Sequence, residues 1–214
     1  MSIKVPKSKD FDLRACLVSQ LLREGIARSD IRHEITLDTS SSGGRADVLV
    51  FRNDKLHGFE LKSAADTLDR LKEQRSSYSR AFDFVHVIAD KRHHNRMGGH
   101  MWGSQAYCHE RKAIVCWHSD KLEATVFPAY FTESSDTAPC AMASLLWRDE
   151  AGTVCAALGQ KRTTRHSAIQ WIREYTCLNQ LRPLVIAEMR LRPHSAWEAA
   201  FWTRFDALQG EKAA

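Results

Sequence analysis

The 214-residue sequence predicts an α/β fold for its first part and a helical region for the rest. Two observations point to the α/β part. Apolar spacing alternates between helical and strand periods in the order helix, strand, strand, strand, helix, strand. The run Phe84-Val85-His86-Val87-Ile88-Ala89 also has the composition of a strand covered on both faces. A third observation marks the change of character: beyond Pro128 strand patterning gives way to helical stripes.

Each element has its own signal. Phe11, Ala15, Val18 and Leu22, widened by Leu17 and Leu21, predict a helix from about Asp10 to Glu24, with Gly25 as its stop. Ile31, His33, Ile35 and Leu37 alternate with polar residues as in a strand, and a Ser/Gly loop follows from Asp38 to Gly44. Strands at Ala46 to Phe51 and Leu56 to Leu61 flank the turn-prone pair Asn53-Asp54. A second helix is expected from Asp66 to Phe82, then the buried strand. Lys112 to Trp117 and Leu122 to Phe127 read as a further hairpin around Ser119-Asp120. Helices are expected over Met142 to Leu158, Ser167 to Leu178, Leu181 to Arg190 and Ser195 to Leu208, punctuated by Pro183 and Pro193. This divides the chain into an α/β unit over 10–127 and a helical region over 139–214.

Composition narrows the classes of function. Hydrophobic residues make up 43% and charged residues 27%, the balance of a globular chain. No apolar run reaches the length of a membrane span and no signal-peptide pattern opens the chain, so the cytoplasm is the expected location. The six cysteines include no CxxC pair and read as reduced thiols. The formal net charge of +5 permits a polyanionic partner without requiring one. From Lys161 to Ala214 nine basic residues stand against five acids, a local net charge of +4.

The chemistry concentrates in Gly44-Arg45-Ala46-Asp47 and Gly58-Phe59-Glu60-Leu61-Lys62. A two-residue turn at Asn53-Asp54 would pair Arg52 with Lys55, and counting outward places Asp47 opposite Glu60. Carboxylates so opposed, with Cβ atoms roughly 4.5–5.5 Å apart, need a proton or a cation between them. Lys62 projects from the same strand face. Two carboxylates holding a hard divalent ion beside an ammonium suit metal-assisted phosphodiester hydrolysis. An isolated Glu-x-Lys triplet would instead be a solvated ion pair; its context, an acid on the partner strand and helices on either side, favours a site.

These segments resemble the PD-(D/E)XK nucleases, RecB-like branch. Gly44 to Asp47 is similar to the family's GxxD, Glu60 to Lys62 to its ExK, and Gln74 with Tyr78 to its QxxxY. The stretch Leu56 to His93, with Leu145 to Glu150 downstream, resembles a small bacterial family within that superfamily. The resemblance implies a restriction-endonuclease-like core: helix, three-stranded antiparallel meander, helix, strand. It also implies a Mg²⁺- or Mn²⁺-dependent nuclease acting on nucleic acid, most naturally DNA. Asp47 and Glu60 would hold the metal with the Leu61 carbonyl, and Lys62 would be catalytic. Asp12 or Glu34 is a candidate further acid. For Asp12 the alternative is a first-turn residue favoured by the helix dipole, and for Glu34 a surface residue on an edge strand. Gln74 and Tyr78 share a helix face and would approach the site or the DNA backbone. Arg45 could meet a phosphate or pair with an acid. A rival function is a catalytically silent module of the same fold that binds nucleic acid or protein.

Other signals weigh less. His93, His94, His100, Cys108, His109, Cys116 and His118 lack the paired spacings of a zinc site. Lys161, Arg162 and Arg165 precede a helix and could grip phosphates or form a solvated loop. Trp147, Trp171, Trp197 and Trp202 sit in helical stripes and are expected in the core.

Overall fold

The computed structural model describes residues 9–37, 44–90, 93, 114–118, 123–127, 132–133, 137–162 and 164–213. Of these, 114–118, 123–127, 132–133 and 211–213 are described by backbone path alone. The molecule is mixed α/β. Helix α1 (Asp10–Arg23) leads through a 3-10 turn, Arg28–Asp30, into strands β1 (Ile31–Leu37), β2 (Gly44–Arg52) and β3 (Lys55–Lys62). Helix α2 (Leu71–Ala81) and strand β4 (Phe84–Asp90) follow. Strands β1, β2 and β3 form an antiparallel meander and β4 adds parallel to β3, so the expected element order holds. Beyond β4, strands β5 (Ile114–His118) and β6 (Glu123–Phe127) form the expected hairpin. Strand β7 (Thr132–Glu133) pairs with the start of β4.

Local chemistry sets the register of the meander. Asn53 and Asp54 both have positive φ, 51° and 55°. This is the type I′ geometry whose twist matches two antiparallel strands. Arg52 therefore pairs with Lys55, and the ladder runs to Val48 opposite Phe59. Asp47 and Glu60 are the next pair in that count. Gly58 is required where it stands, because a Cβ there would lie 2.1 Å from the Phe82 ring.

Two layers cover the sheet. On one face α1 packs Ala15, Val18 and Leu21 against Ile31, Val48, Val50, Phe59 and Leu61. On the other, Leu49, Phe51 and Leu56 meet Tyr78, Ala81 and Phe82. That second layer is completed by helices α3 (Pro139–Ala143), α4 (Arg148–Ala157), α5 (Arg165–Tyr175) and α6 (Leu178–Leu191). The last helix, α7 (Ala196–Ala213), crosses to the first layer, where Phe201, Trp202 and Phe205 join the α1 cluster. Among the described residues, those from 139 onward are helical or irregular, as expected. They share both cores of the α/β part.

Several expectations need correction. The helix expected from Asp66 begins at Leu71, because turns occupy the residues before it. One helix over Met142 to Leu158 is instead two, broken at 144–147. Pro183 lies inside α6, which continues past it, rather than marking a boundary, whereas Pro193 follows the end of that helix. Trp202 is core, but Trp147 and Trp197 are 55% and 43% exposed. Arginine guanidinium groups lie over both of those rings, Arg192 at 4.2 Å and Arg14 at 4.7 Å, so cation–π contact replaces burial.

Strict alternation also fails in β1. Ile31 packs with the α1 layer, while Ile35 and Leu37 pack with the α2 layer. The break falls at Glu34, whose φ of 56° is left-handed. The register continues across it without an inserted residue, from His33 opposite Val48 to Ile35 opposite Ala46. A single left-handed residue therefore reverses which face the strand presents.

Candidate functional site

The register, the reversal at Glu34 and the start of α2 meet in one cleft of about 850 Å³. Asp10, Arg45, Asp47, Glu60, Lys62, Asp66, Arg70, Glu73 and Gln74 supply its charged and polar lining together with Thr36, Ser63 and Ser77, and Leu61 also lines it. Five of these side chains are acidic and three are basic. Such a surplus favours a cation.

Glu60 is 3% exposed and its carboxylate is heavily engaged. Lys62 Nζ donates to its Oε1 at 2.6 Å, as does Gln74 Nε2 at 2.6 Å. Tyr78 Oη donates to Oε2 at 2.5 Å and lies 3.0 Å from the Arg45 carbonyl. Lys62 also donates to Gln74 Oε1 at 2.9 Å. Burial, then the Glu60 charge, raises the Tyr78 pKa, so the phenol stays a donor. Gln74 and Tyr78, one helical turn apart, thus both act on Glu60.

Asp47 stands across from this network. Its Oδ2 accepts the Leu61 N–H at 2.7 Å, a bond that crosses from β2 to β3 and aims the carboxylate into the cleft. Burial pushes its pKa up to about 7, and the Glu60 charge adds to the shift, against the opposing pull of the Leu61 N–H and Arg14. Two carboxylates are crowded here without enough positive charge to keep both ionised.

The extra acids fall differently from expectation. Asp12 closes the start of α1, accepting the Lys9 N–H at 2.9 Å, and is not among the residues lining the cleft. The first-helix acid in the cleft is Asp10. Glu34 pairs with Arg14 at 2.7 Å and with Arg45 at 2.5 Å. Arg45 thus meets an acid. Sequence reasoning also missed Arg14, 1% exposed, which bonds Asp10, Glu34 and the Asp47 carbonyl. Its signal was available: an arginine four residues after an aspartate, inside an otherwise apolar stripe.

At the end of β3, Ser63 donates through its N–H and Oγ to Asp66 Oδ2 at 2.7 and 2.6 Å. The buried His93 Nε2 lies 2.8 Å from the Ser63 carbonyl, so that nitrogen carries the proton and donates. His94, His100, Cys108 and His109 lie outside the described residues, and Cys116 and His118 are described by backbone alone. Among the described residues no cluster of three or more His, Cys, Asp or Glu side chains is arranged to hold a metal ion. Lys161, Arg162 and Arg165 do not line the cleft. Arg165 instead donates to the Leu146 and Ser144 carbonyls at 2.8 and 2.6 Å, tying α5 to the break between α3 and α4.

Comparison with known proteins adds one partial likeness. A family model described as Bacteriophage P4 protein cII matches residues 5–100, less than half of the chain but including every residue of the Asp47–Glu60 cleft. No curated protein and no solved structure matches the chain.

Proposed function

We propose that the protein is a divalent-metal-dependent nuclease of the PD-(D/E)XK type, with a restriction-endonuclease-like core and DNA as substrate. The observation that carries this is the convergence of Asp47, Glu60 and Lys62 in one cleft on adjacent antiparallel strands. The residues present fit a metal. A carboxylate offers about four lone-pair sites, and described donors use three on Glu60. Among the described residues, Asp47 Oδ1 meets only the Arg14 guanidinium, at 3.8 Å. Asp47, Glu60 and the Leu61 carbonyl would hold Mg²⁺ or Mn²⁺, an oxygen set that hard cations prefer. Bound there, the ion would supply charge neutralisation on the phosphodiester and a more acidic water.

The chain's own groups do the rest. Gln74 and Tyr78 hold the Glu60 carboxylate in one orientation. Lys62, 7% exposed beside that carboxylate, carries its ammonium where negative charge develops on the scissile phosphate. Arg70 lines the same cleft and would meet the phosphate backbone.

Cleavage of labelled single-stranded, duplex and flap DNA with Mn²⁺, beside calorimetric Mn²⁺ titration, tests the proposal. Lys62→Ala should lose on the order of 10²–10³ in rate while keeping metal affinity, since the ammonium does not hold the cation. Glu60→Ala should lose both. A folded Lys62→Ala protein cutting at the wild-type rate would overturn the assignment. The dense donor set on Glu60 is also what a silent binding module would need to keep a buried carboxylate satisfied. DNA binding without Mn²⁺ uptake or cleavage would select that second function.

A further inference from the structure

Arg14 is the least expected group near the cleft. It sits between Leu13 and Ala15 on α1, where the residues from 13 to 18 are all buried. A guanidinium in such a place is costly unless its donors are satisfied, and an aliphatic side chain would fill the same position more easily. Its donors all turn towards one region. Nε and Nη2 lie 3.2 Å from the two Asp10 oxygens, and Nη2 lies 2.7 Å from Glu34 Oε1. Nη1 donates to the Asp47 main-chain carbonyl and lies 3.4 Å from His33 Nδ1. The Trp197 ring covers the guanidinium at 4.7 Å.

Glu34 supplies the second, independent observation. Among the described residues it is the only non-glycine with positive φ inside a strand, since Asn53 and Asp54 form a turn. Such a conformation persists only where its surroundings hold it. Its carboxylate is held from both sides, by Arg14 at 2.7 Å and Arg45 at 2.5 Å. Its place in the register is opposite Asp47, between the pairs His33–Val48 and Ile35–Ala46. The contortion of β1 and the anchoring of Asp47 therefore meet on the same guanidinium.

We propose that Arg14 is a positioning residue, which through Asp10 and Glu34 on one side and the Asp47 carbonyl on the other fixes the main chain from which the Asp47 carboxylate reaches the cleft. It acts chiefly on the backbone, since it donates to the Asp47 carbonyl while Asp47 Oδ1 lies 3.8 Å away, where its charge adds a weaker pull on the carboxylate. A lysine could keep the charge but not the planar fork that serves three acceptors at once.

The catalytic part of the proposal rests on the nuclease assignment, and the structural part does not. The Leu61 amide, which donates to Asp47 Oδ2, reports the carboxylate's position directly. In Arg14→Met, hydrogen exchange at Leu61 should quicken at least about tenfold, while the Val50 and Phe59 amides in the same ladder keep their protection. Under Mn²⁺ kcat should fall about 10²-fold, the scale of a misplaced catalytic group, with KM within about twofold of wild type. Arg14→Lys should rescue little, and it serves for the same measurements if Arg14→Met fails to fold. Unchanged Leu61 exchange in a folded variant would overturn the proposal, as would full rescue by lysine. A wild-type protein that cuts no substrate would sink the nuclease assignment, and Leu61 exchange would still judge Arg14.

Discussion

Asp47 and Glu60 face a cleft whose acids outnumber its bases, and the strain of that crowding falls on Asp47, whose carboxyl is pushed up to about 7 by burial and the Glu60 charge. The native protein then keeps a proton that the unfolded chain has released. Stability from the neutral carboxyl is complete below its ordinary value of 3.8 and is lost as pH rises through about 7. His33 works in the opposite direction. Burial, with the Arg14 charge, lowers its pKa from 6.5 to about 3, so its contribution is present above 6.5 and is lost as pH falls towards 3. The windows overlap, and the difference between wild type and Asp47→Asn isolates the carboxyl. In chelator, Asp47→Asn should gain stability relative to wild type between about pH 4 and pH 8. Urea melts that stay parallel across that range would refute it. Mn²⁺ affinity in wild type should rise over the same interval, because the ligand must lose its proton first.

At the scale of elements, the fit between α2 and the sheet depends on one missing side chain. Gly58 lets the buried Phe82 ring lie directly on β3, and Phe82 ends the helix that carries Gln74 and Tyr78. Gly58→Ala places a methyl 2.1 Å from that ring, an overpacking that should cost about 1–3 kcal/mol. Chemical denaturation measures it, and a loss below experimental error would mean that α2 shifts without penalty. Asp83, just before β4, ties three elements. It accepts the Leu56 N–H at 2.9 Å and pairs through both oxygens with Arg182 of α6. Arg182→Ala would leave that buried carboxylate with one described donor and should destabilise by roughly 3–5 kcal/mol.

The whole molecule is closed by its last helix. Phe201, Trp202 and Phe205 of α7 are buried against α1 and the sheet, each contributing roughly 1.5–3 kcal/mol. Glu198 of the same helix is 3% exposed, accepts the His33 N–H at 2.9 Å, and is an ion partner of buried Arg32 at 3.4 Å. Removing residues 196–214 should therefore expose the α1 face and abolish the cooperative thermal transition. A soluble truncated protein with a wild-type melt would show that α7 is dispensable to this core.

The sequence by itself determined the element order, the hairpin register and the meeting of Asp47, Glu60 and Lys62, because these depend on short-range rules. Strand period two, a two-residue turn and a helical repeat of about four act within a few residues, and motif resemblance added Gln74 and Tyr78. Tertiary structure decided what depends on distant partners. Strand periodicity alone does not show that Glu34 adopts a left-handed backbone, since that conformation is held by Arg14, twenty residues earlier, and by Arg45. Asp10 and Asp12 are both first-turn acids, and only the direction of the helix axis against the sheet sends one into the cleft and the other to the helix end. The tryptophans follow the same logic: apolar spacing marks a stripe, but whether Trp197 is buried or capped by a guanidinium depends on which helix passes over it.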